Sequence, residues 1–158
     1  MDSKGQTTVE FAMAALLLLF FLFAVIDLSF MFYVNLTMQR AVREGARYAI
    51  TGQKQGADGM TELIARIKAA SNDLYDQNAL KDEVPKVSIL TPADTTNFSN
   101  YTGYQGKPVT DTGKESQIII VSLNYAWPLM TPLISPFFTD GKYTFTARAT
   151  MRNEPWGQ

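Results

Sequence analysis

Residues 5–34 read GQTTVEFAMAALLLLFFLFAVIDLSFMFYV. From Phe11 to Val34 this stretch has 24 residues, a single charge at Asp27, and neither Gly nor Pro. A helix with about 1.5 Å of rise per residue would be roughly 36 Å long, which exceeds the ~30 Å hydrocarbon layer of a bilayer. The stretch therefore predicts one membrane-spanning helix, and the lipid bilayer is its first expected partner.

The helix is predicted to continue past the membrane as far as Gly52, a natural stop signal. Between Val34 and Ile50, apolar and small residues recur at spacings of three and four, while Arg40, Arg43 and Arg47 fall on the other face. The small residues allow another backbone to approach closely. That backbone could belong to the rest of this chain, to a neighbouring molecule, or to both.

The remaining 106 residues, 53–158, are enough for one small soluble head. They carry 10 Lys and Arg against 11 Asp and Glu, a balance that excludes nucleic acid as a partner. The chain has no Cys and no His, which excludes thiolate and imidazole zinc sites, Cys nucleophiles and Ser-His-acid triads. Its acids show no calcium-loop spacing. We therefore predict no catalytic residue, no metal site, no cofactor and no enzymatic activity.

Apolar periodicity predicts one further helix in the head, beginning near Asp58 or Thr61. Alternation predicts strands at Lys86–Leu90, Gln117–Trp127 and Lys142–Arg152, with Asp140-Gly141 turning the chain into the last one. The predicted fold is α+β, with a long N-terminal helix, one shorter helix and a three- to four-stranded antiparallel sheet packed on the upper half of the long helix. The apolar face of the shorter helix is assigned to Met60, Leu63, Ile64, Ile67, Ala70 and Leu74.

Two segments of the head are predicted to be irregular. Thr91–Glu115 is rich in Thr, Asp, Asn and Gly and is expected to form a long exposed loop, in which Tyr101 and Tyr104 are candidate contact residues. Pro128–Phe138 is apolar but interrupted by three prolines, which exclude a regular strand or a long helix. This second loop either closes the core, binds a partner or touches a membrane.

Two carboxylates mark the apolar stretch. Glu10 stands at its start, where it is either functional or placed in the headgroup zone beside the positive end of the helix dipole. Asp27 lies deeper, where an unpaired carboxylate costs ~2.5–3.5 kcal/mol on insertion scales. It is expected to be protonated, to meet a cation on another helix, or to be solvated near the outer edge, because about twenty residues from Phe11 end near Phe30.

These residues resemble a known family. Gly5, four intervening residues and then Glu10-Phe11 are similar to the processing signature of type IV pilin-like proteins. The string Thr8–Ala12, the acid at Asp27 and the segment Ala41–Ala49 resemble the TadE-like pseudopilins of tight-adherence (Tad/Flp) pilus systems. The end of the chain, Thr146–Arg152, loosely resembles the closing strand of that family.

The resemblance implies a leader peptide of residues 1–5, which a prepilin peptidase removes by cutting between Gly5 and Gln6. Glu10 would then pair with the new terminal amine of a neighbouring subunit and set the axial register, with Phe11 and Asp27 also serving assembly. A carboxylate and an ammonium group that are desolvated together attract strongly. Residues 6–52 would form the membrane-spanning and amphipathic stalk, in which the packing positions implied are Arg43, Glu44, Gly45 and Arg47.

The function implied is that of a minor pilin or pseudopilin that initiates, assembles or caps the pilus, because major pilins of these systems are much shorter. The implied partners are other pilin or pseudopilin subunits, the prepilin peptidase and the inner-membrane assembly platform. The implied location is the bacterial inner membrane, crossed once, with the N-terminus cytoplasmic and the head periplasmic. The extracellular pilus is the second implied location.

Charge and motif disagree about orientation. Arg40, Arg43 and Arg47 follow the span, so the positive-inside rule taken alone would keep the head in the cytoplasm. The motif requires Gly5 to face the cytoplasm, and because it is more specific we expect an extracytoplasmic head. The alternative function is a single-pass, membrane-anchored periplasmic module that binds or catalyses without polymerising.

Overall fold

The computed structural model describes residues 3–52, 56–80, 83–90, 107–109, 112–132 and 134–155. Within these residues there are two α-helices, α1 (Ser3–Ala49) and α2 (Gly56–Ala70). They are accompanied by four strands: β1 (Lys86–Leu90), β2 (Lys107–Val109), β3 (Ile118–Pro128) and β4 (Lys142–Arg152). Short 3-10 helices lie at Leu74–Gln77, Ser135–Phe137 and Thr139–Gly141. The predicted α+β fold is therefore confirmed.

Helix α1 is continuous for 47 residues, a length of about 70 Å at 1.5 Å per residue. No Pro interrupts it, and its only internal glycines are Gly5 and Gly45. The chain leaves the helix through a turn at Ile50 and Thr51, and Gly52 then adopts a left-handed φ of 65°. The helix itself ends at Ala49, three residues before the predicted stop, and Gly52 adopts its left-handed conformation without strain.

Helix α2 ends four residues earlier than its apolar periodicity suggested. Leu74 was predicted on the helical face, but the helix stops at Ala70, and Asn72 and Asp73 both have positive φ values. Asn and Asp tolerate this conformation better than other side chains, so they redirect the chain. Leu74 remains buried, but from the start of a separate 3-10 helix.

The four strands form an antiparallel sheet in the order β2-β1-β3-β4. β3 and β4 pair along their whole length, from Ile118 opposite Arg152 to Pro128 opposite Lys142. Of the predicted exposed loop Thr91–Glu115, residues 107–109 form β2 at the edge of the sheet, so the prediction of a continuous loop was wrong there. An edge position accommodates Pro108, which has no N–H to donate. Residues 91–106, including Tyr101 and Tyr104, lie outside the described residues.

One face of the sheet packs on the upper part of α1. The buried residues of β3, from Ile119 to Tyr125 at every second position, meet the stripe of α1 that begins at Val34. Tyr125 is fully buried and its hydroxyl donates a 2.6 Å hydrogen bond to the carbonyl of Leu74. The core of the head is thus built partly from the stalk helix itself. The α1 residues in this core are Val34, Met38, Ala41, Val42, Ala46 and Ala49.

The segment between β3 and β4 returns the chain through a proline-interrupted loop. Among its described residues, the only regular piece before the final turn is the 3-10 helix Ser135–Phe137; Leu133 lies outside the described residues. Asp140 and Gly141 both have positive φ values, 54° and 64°, and lead directly into β4. The predicted turn at Asp140-Gly141 is therefore confirmed.

Candidate functional site

The lower part of α1 is an apolar rod with no protein around it. We use the name rod for residues 9–26, in which every large apolar side chain is at least 37% exposed. The exposed residues lie on all sides of the helix. A helix that is apolar all round is buried in a core or in a membrane, and this one is not in the protein's own core. Among the described residues, α1 is the one helix long and apolar enough to cross a bilayer.

The N-terminal end of α1 holds the predicted processing and assembly residues. Gly5 lies in the first turns of the helix, and an added Cβ would meet no atom within 4 Å. Gln6 Nε2 donates a 3.1 Å hydrogen bond to Glu10 Oε1 one turn later. Glu10 is exposed and Phe11 is 73% exposed, so both are accessible to another molecule.

Asp27 lies at the upper end of the rod and is only 1% exposed. Its Oδ1 accepts a hydrogen bond from the backbone N–H of Met130 at 3.1 Å. Its Oδ2 accepts from the backbone N–H of Thr131 at 3.2 Å and also from the Thr131 hydroxyl. No ion pair joins it to a cation among the residues that the structure describes. The carboxylate is therefore neither solvated nor paired with a cation here, but is bound by the loop between β3 and β4.

This contact was missed from the sequence because its partners lie 103 and 104 positions away. Two of the three donors are backbone N–H groups. Every residue except proline has such a group, so the amino-acid sequence does not mark which ones bind Asp27. The available hint was the loop itself. Pro128 and Pro132 flank the segment and keep it out of a regular strand, which leaves N–H groups free for an acceptor such as Asp27.

The upper part of α1 packs against the head through its small residues. Gly45 is buried where α1 meets α2, and a Cβ added there would lie 2.5 Å from Ile67 Cγ1 and 3.3 Å from the carbonyl oxygen of Leu63. A side chain at this position would collide with Ile67 unless that residue moved, so glycine fits the close approach of the two helices. The close approach predicted for the small stripe is thus made by this chain's own second helix.

The charged residues of the same segment point outward. Arg43, Glu44 and Arg47 are all exposed, on the side of α1 away from α2 and the sheet. On the neighbouring Tyr48, the guanidinium group of Arg66 from α2 covers the ring at 4.7 Å from its centroid. The three charged side chains are accessible to contacts outside the chain, and their packing role stays a prediction.

The head offers little that suggests chemistry. No group of three or more Asp or Glu residues with metal-binding geometry occurs within the described ranges. An open cleft of about 330 Å³ lies beside β3 and β4, and none of its lining residues is charged. Its lining consists of Leu80, Asn124, Tyr125, Thr144, Phe145 and Thr146.

Burial shifts the acidity of the tyrosines in this part of the head. Desolvation raises the pKa of Tyr125 to about 12, and burial also raises the pKa of Tyr75. Both phenols therefore remain neutral hydrogen-bond donors at physiological pH.

Comparison with protein families gives a match between residues 5–47 and the family described as TadE-like protein. The matched segment covers the rod and most of the upper part of α1. Comparisons with curated proteins and with solved structures found no match. The resemblance inferred from Gly5, Glu10 and Ala41–Ala49 is confirmed for this segment. It associates the chain with the structural components of tight-adherence pili rather than with a known family of enzymes.

Proposed function

With a TadE-like segment at residues 5–47 as the premise, we propose that this protein is a minor pilin or pseudopilin of a tight-adherence pilus. In this proposal it helps to initiate, assemble or cap the filament through α1. The observation that carries the proposal is the combination of the family match with a rod whose large apolar side chains are all exposed. Such a surface needs either lipid or the apolar helices of other subunits around it, and assembly exchanges the first for the second.

Processing is proposed between Gly5 and Gln6, by a prepilin peptidase acting at the cytoplasmic membrane face. The bond lies near the start of α1, which begins at Ser3. Helix ends fray, and glycine in a helix costs about 1 kcal/mol relative to alanine, so the segment around Gly5 unwinds easily into a peptidase site. The empty space around Gly5 means that a change there is not expected to disturb the fold.

Glu10 is proposed to set the axial register once the leader is gone. The new amine of Gln6 carries a positive charge, and an exposed carboxylate on a neighbouring α1 is its natural counter-ion in a dry interface. In apolar surroundings the carboxylate and the amine stabilise each other only when they are adjacent. A shift of one subunit by one helical turn would leave both charges unpaired there. Phe11 beside Glu10 supplies part of the apolar contact.

The head is proposed to be extracytoplasmic, with the assembly platform and other pilin subunits as membrane partners. Asp27 serves assembly indirectly, because it fixes the head on α1 at the top of the rod. Arg43, Glu44 and Arg47 face away from the head and are proposed to contact neighbouring subunits. Labelling of an introduced cysteine at Glu154 with a membrane-impermeant maleimide tests the orientation. Labelling in intact spheroplasts is expected, and labelling only after lysis contradicts an extracytoplasmic head.

Two experiments test the function itself. Mass spectrometry of the membrane-extracted protein, produced together with its peptidase, is expected to find a mature chain starting at Gln6. Gly5→Val is expected to retain the full leader, because a branched side chain then precedes the cut. An intact Met1 terminus in the unsubstituted protein would count against processing.

Assembly is tested by Glu10→Ala in cells that make the pilus, with Glu154→Ala, at an exposed acid of the head, as the control. Glu10→Ala is expected to abolish the protein's contribution to piliation while a Gln6 terminus and membrane insertion remain. Glu154→Ala is expected to leave piliation unchanged, because Glu154 lies in the head, outside the apolar rod. Normal piliation with Glu10→Ala would favour the alternative of an anchored periplasmic module that does not polymerise.

A further inference from the structure

The loop between β3 and β4 presents two exposed apolar side chains, and the first of them lies beside Asp27 at the end of the rod. Met130 is 60% exposed and Phe137 is 79% exposed, the highest value among the large apolar side chains of the described residues. We call Met130 and Phe137 together the foot of the head. Single exposed apolar residues are common on soluble proteins, so their position relative to the membrane decides their meaning.

Hydrogen bonds fix the backbone of the loop at both residues of the foot. Met130 donates its own N–H to Asp27 on α1, and Leu129 beside it donates to the carbonyl of Gly141 at 3.1 Å. Phe137 lies in the 3-10 helix Ser135–Phe137, and its N–H donates to the carbonyl of Ile134 at 3.0 Å. Met130 therefore lies at the height of Asp27 along α1, and Phe137 follows it in the same loop.

That height coincides with the edge of the hydrocarbon layer. A span of about twenty residues counted from Phe11 ends near Phe30. Asp27 comes three residues earlier, which is about 4.5 Å below that edge at 1.5 Å per residue. Met130, which donates its N–H to Asp27, therefore lies beside the upper end of the rod.

Aromatic residues with polar ends lie just above the foot. Trp127 and Tyr143 stand opposite each other where β3 and β4 approach the loop, and the Tyr143 hydroxyl accepts a 3.1 Å hydrogen bond from Asn35 on α1. Tyr33 on α1 is 51% exposed at a similar level. Trp and Tyr are enriched where the apolar layer of a membrane meets water. Where the same loop leads into β4, Asp140 and Lys142 carry charges that suit the headgroup zone.

We propose that the foot inserts into the interfacial layer of the bilayer beside α1, so that lipid covers Met130 and Phe137. The occupant is lipid because Met130 is held beside Asp27, at the depth where a bilayer around the rod would end. The same loop that enters the interface also supplies the donors for Asp27, so the carboxylate needs no second protein at that depth. The inference requires α1 to cross the membrane, as in the proposed function, but it does not require the protein to polymerise.

The test uses the full chain, which has no natural cysteine, with one cysteine introduced at Phe137 and labelled with an environment-sensitive fluorophore. The protein is reconstituted into phosphatidylcholine vesicles at a high ratio of lipid to protein. A label at Leu19 in the rod is the positive control, and a label at Ser116, at the far end of the sheet and exposed, is the aqueous control. At Phe137 we expect blue-shifted emission, quenching by nitroxide lipids with a shallow spin label, and several-fold weaker quenching by aqueous iodide than at Ser116.

Several results would overturn the inference. Iodide quenching at Phe137 equal to that at Ser116, with Leu19 protected, places the foot in water while α1 is still inserted. Protection at Phe137 that disappears as lipid is added in excess identifies a second copy of the chain, and not lipid, as the cover. Loss of protection at Leu19 overturns the membrane insertion of α1 itself.

Asp27→Ala gives an independent check. With Asp27 intact the foot is held at its height, so the substitution is expected to increase iodide access to the label at Phe137 while leaving the label at Leu19 protected. An unchanged Phe137 signal in this variant, with the chain folded, contradicts the role assigned to Asp27 in seating the foot.

Discussion

Thr131 donates both its backbone N–H and its side-chain hydroxyl to one carboxylate oxygen of Asp27, from a position 104 residues later in the chain. The second carboxylate oxygen accepts from the neighbouring N–H of Met130. This contact joins the head to the stalk helix at the top of the rod. Its three hydrogen bonds also offset the free-energy cost of placing a lone carboxylate in an apolar helix.

Removing the carboxylate is therefore expected to loosen the head. Asp27→Ala leaves three donors without their acceptor and should lower the free energy of unfolding by about 1–3 kcal/mol. Asp27→Asn keeps one acceptor oxygen and should lose less. Thermal unfolding of the detergent-solubilised full chain, followed by near-ultraviolet circular dichroism, measures the difference. An unchanged midpoint for Asp27→Ala would show that the contact contributes nothing to docking.

Gly45 offers a second test, of the contact between the helices. Gly45→Ala places a Cβ 2.5 Å from Ile67 Cγ1, and overpacking of this kind typically costs about 1–3 kcal/mol. Gly5→Ala is the matched control, because a Cβ there meets nothing and alanine favours the helix. We expect Gly45→Ala to lower the midpoint of thermal unfolding, and we expect Gly5→Ala not to lower it.

A double-mutant cycle separates the clash from a propensity effect. In an Ile67→Ala background, where Cγ1 is absent, the cost of Gly45→Ala should shrink because the space is open. An equal cost in both backgrounds would mean that Ile67 is not the obstacle and that backbone contact with Leu63 dominates.

The raised pKa of Tyr125 predicts that the free energy of unfolding falls at alkaline pH. Its pKa is raised to about 12 by burial, from 10.0 when unfolded, so the neutral phenol favours the folded state. This contribution is complete below pH 10 and is lost as the pH rises from 10 to 12. Burial also raises the pKa of Tyr75, which adds to the same trend.

Tyr125→Phe is expected to flatten the fall in stability over this pH interval without abolishing it, because Tyr75 still titrates. At neutral pH the variant loses the hydrogen bond to the carbonyl of Leu74, which is worth about 1 kcal/mol. Tyr33→Phe is the control, since Tyr33 is half exposed on α1. An identical alkaline slope in Tyr125→Phe and the unsubstituted protein would contradict the assignment.

The side chain of Asn78 makes hydrogen bonds to β3 of the kind that a neighbouring strand would make, and we predict that these bonds stabilise the head. Its Oδ1 accepts from the N–H groups of Leu80 and Ala126, both at 3.0 Å, and its Nδ2 donates to the carbonyl of Asn124 at 3.0 Å. These bonds satisfy β3 beyond the point where its pairing with β1 ends at Ser122. Asn78→Ala leaves the buried Ala126 without that acceptor and should cost about 1–3 kcal/mol.

The control is Asn78→Asp, which keeps the acceptor but loses the donor to Asn124. We expect its loss of stability to be smaller than that of Asn78→Ala, in the same thermal measurement. Equal losses for the two variants would show that the amide donor, and not the acceptor, is the group that matters.

Elements whose information is local were predictable from the sequence. The strands Lys86–Leu90 and Lys142–Arg152 were predicted with the bounds that the structure gives, because alternation of apolar and polar residues reports a half-buried strand directly. The predicted strand Gln117–Trp127 differs from β3 by one residue at each end. The turn at Asp140-Gly141 was equally readable, since few residues adopt positive φ values readily.

Predictions failed where neighbours in space overruled the pattern. The helical face was extended to Leu74 because an apolar residue recurs there in phase, yet Asn72 and Asp73 turn the chain first. The strand at residues 107–109 was missed because it contains Pro108 and gains its hydrogen bonds from β1, not from any pattern of its own. The family match, in turn, covers residues 5–47 and does not extend into the head.

The sequence by itself determined that the rod is an apolar helix. The free energy of transferring each apolar side chain out of water depends on that residue alone, and these contributions add up along the helix. It also determined the α+β class and the N-terminal signature at Gly5 and Glu10. Only the tertiary structure decided what Asp27 binds and why Gly45 has no side chain. Both answers depend on atoms of residues far away in the chain, Thr131 and Ile67, whose approach follows from the packing of the whole head and leaves no periodic trace in the sequence.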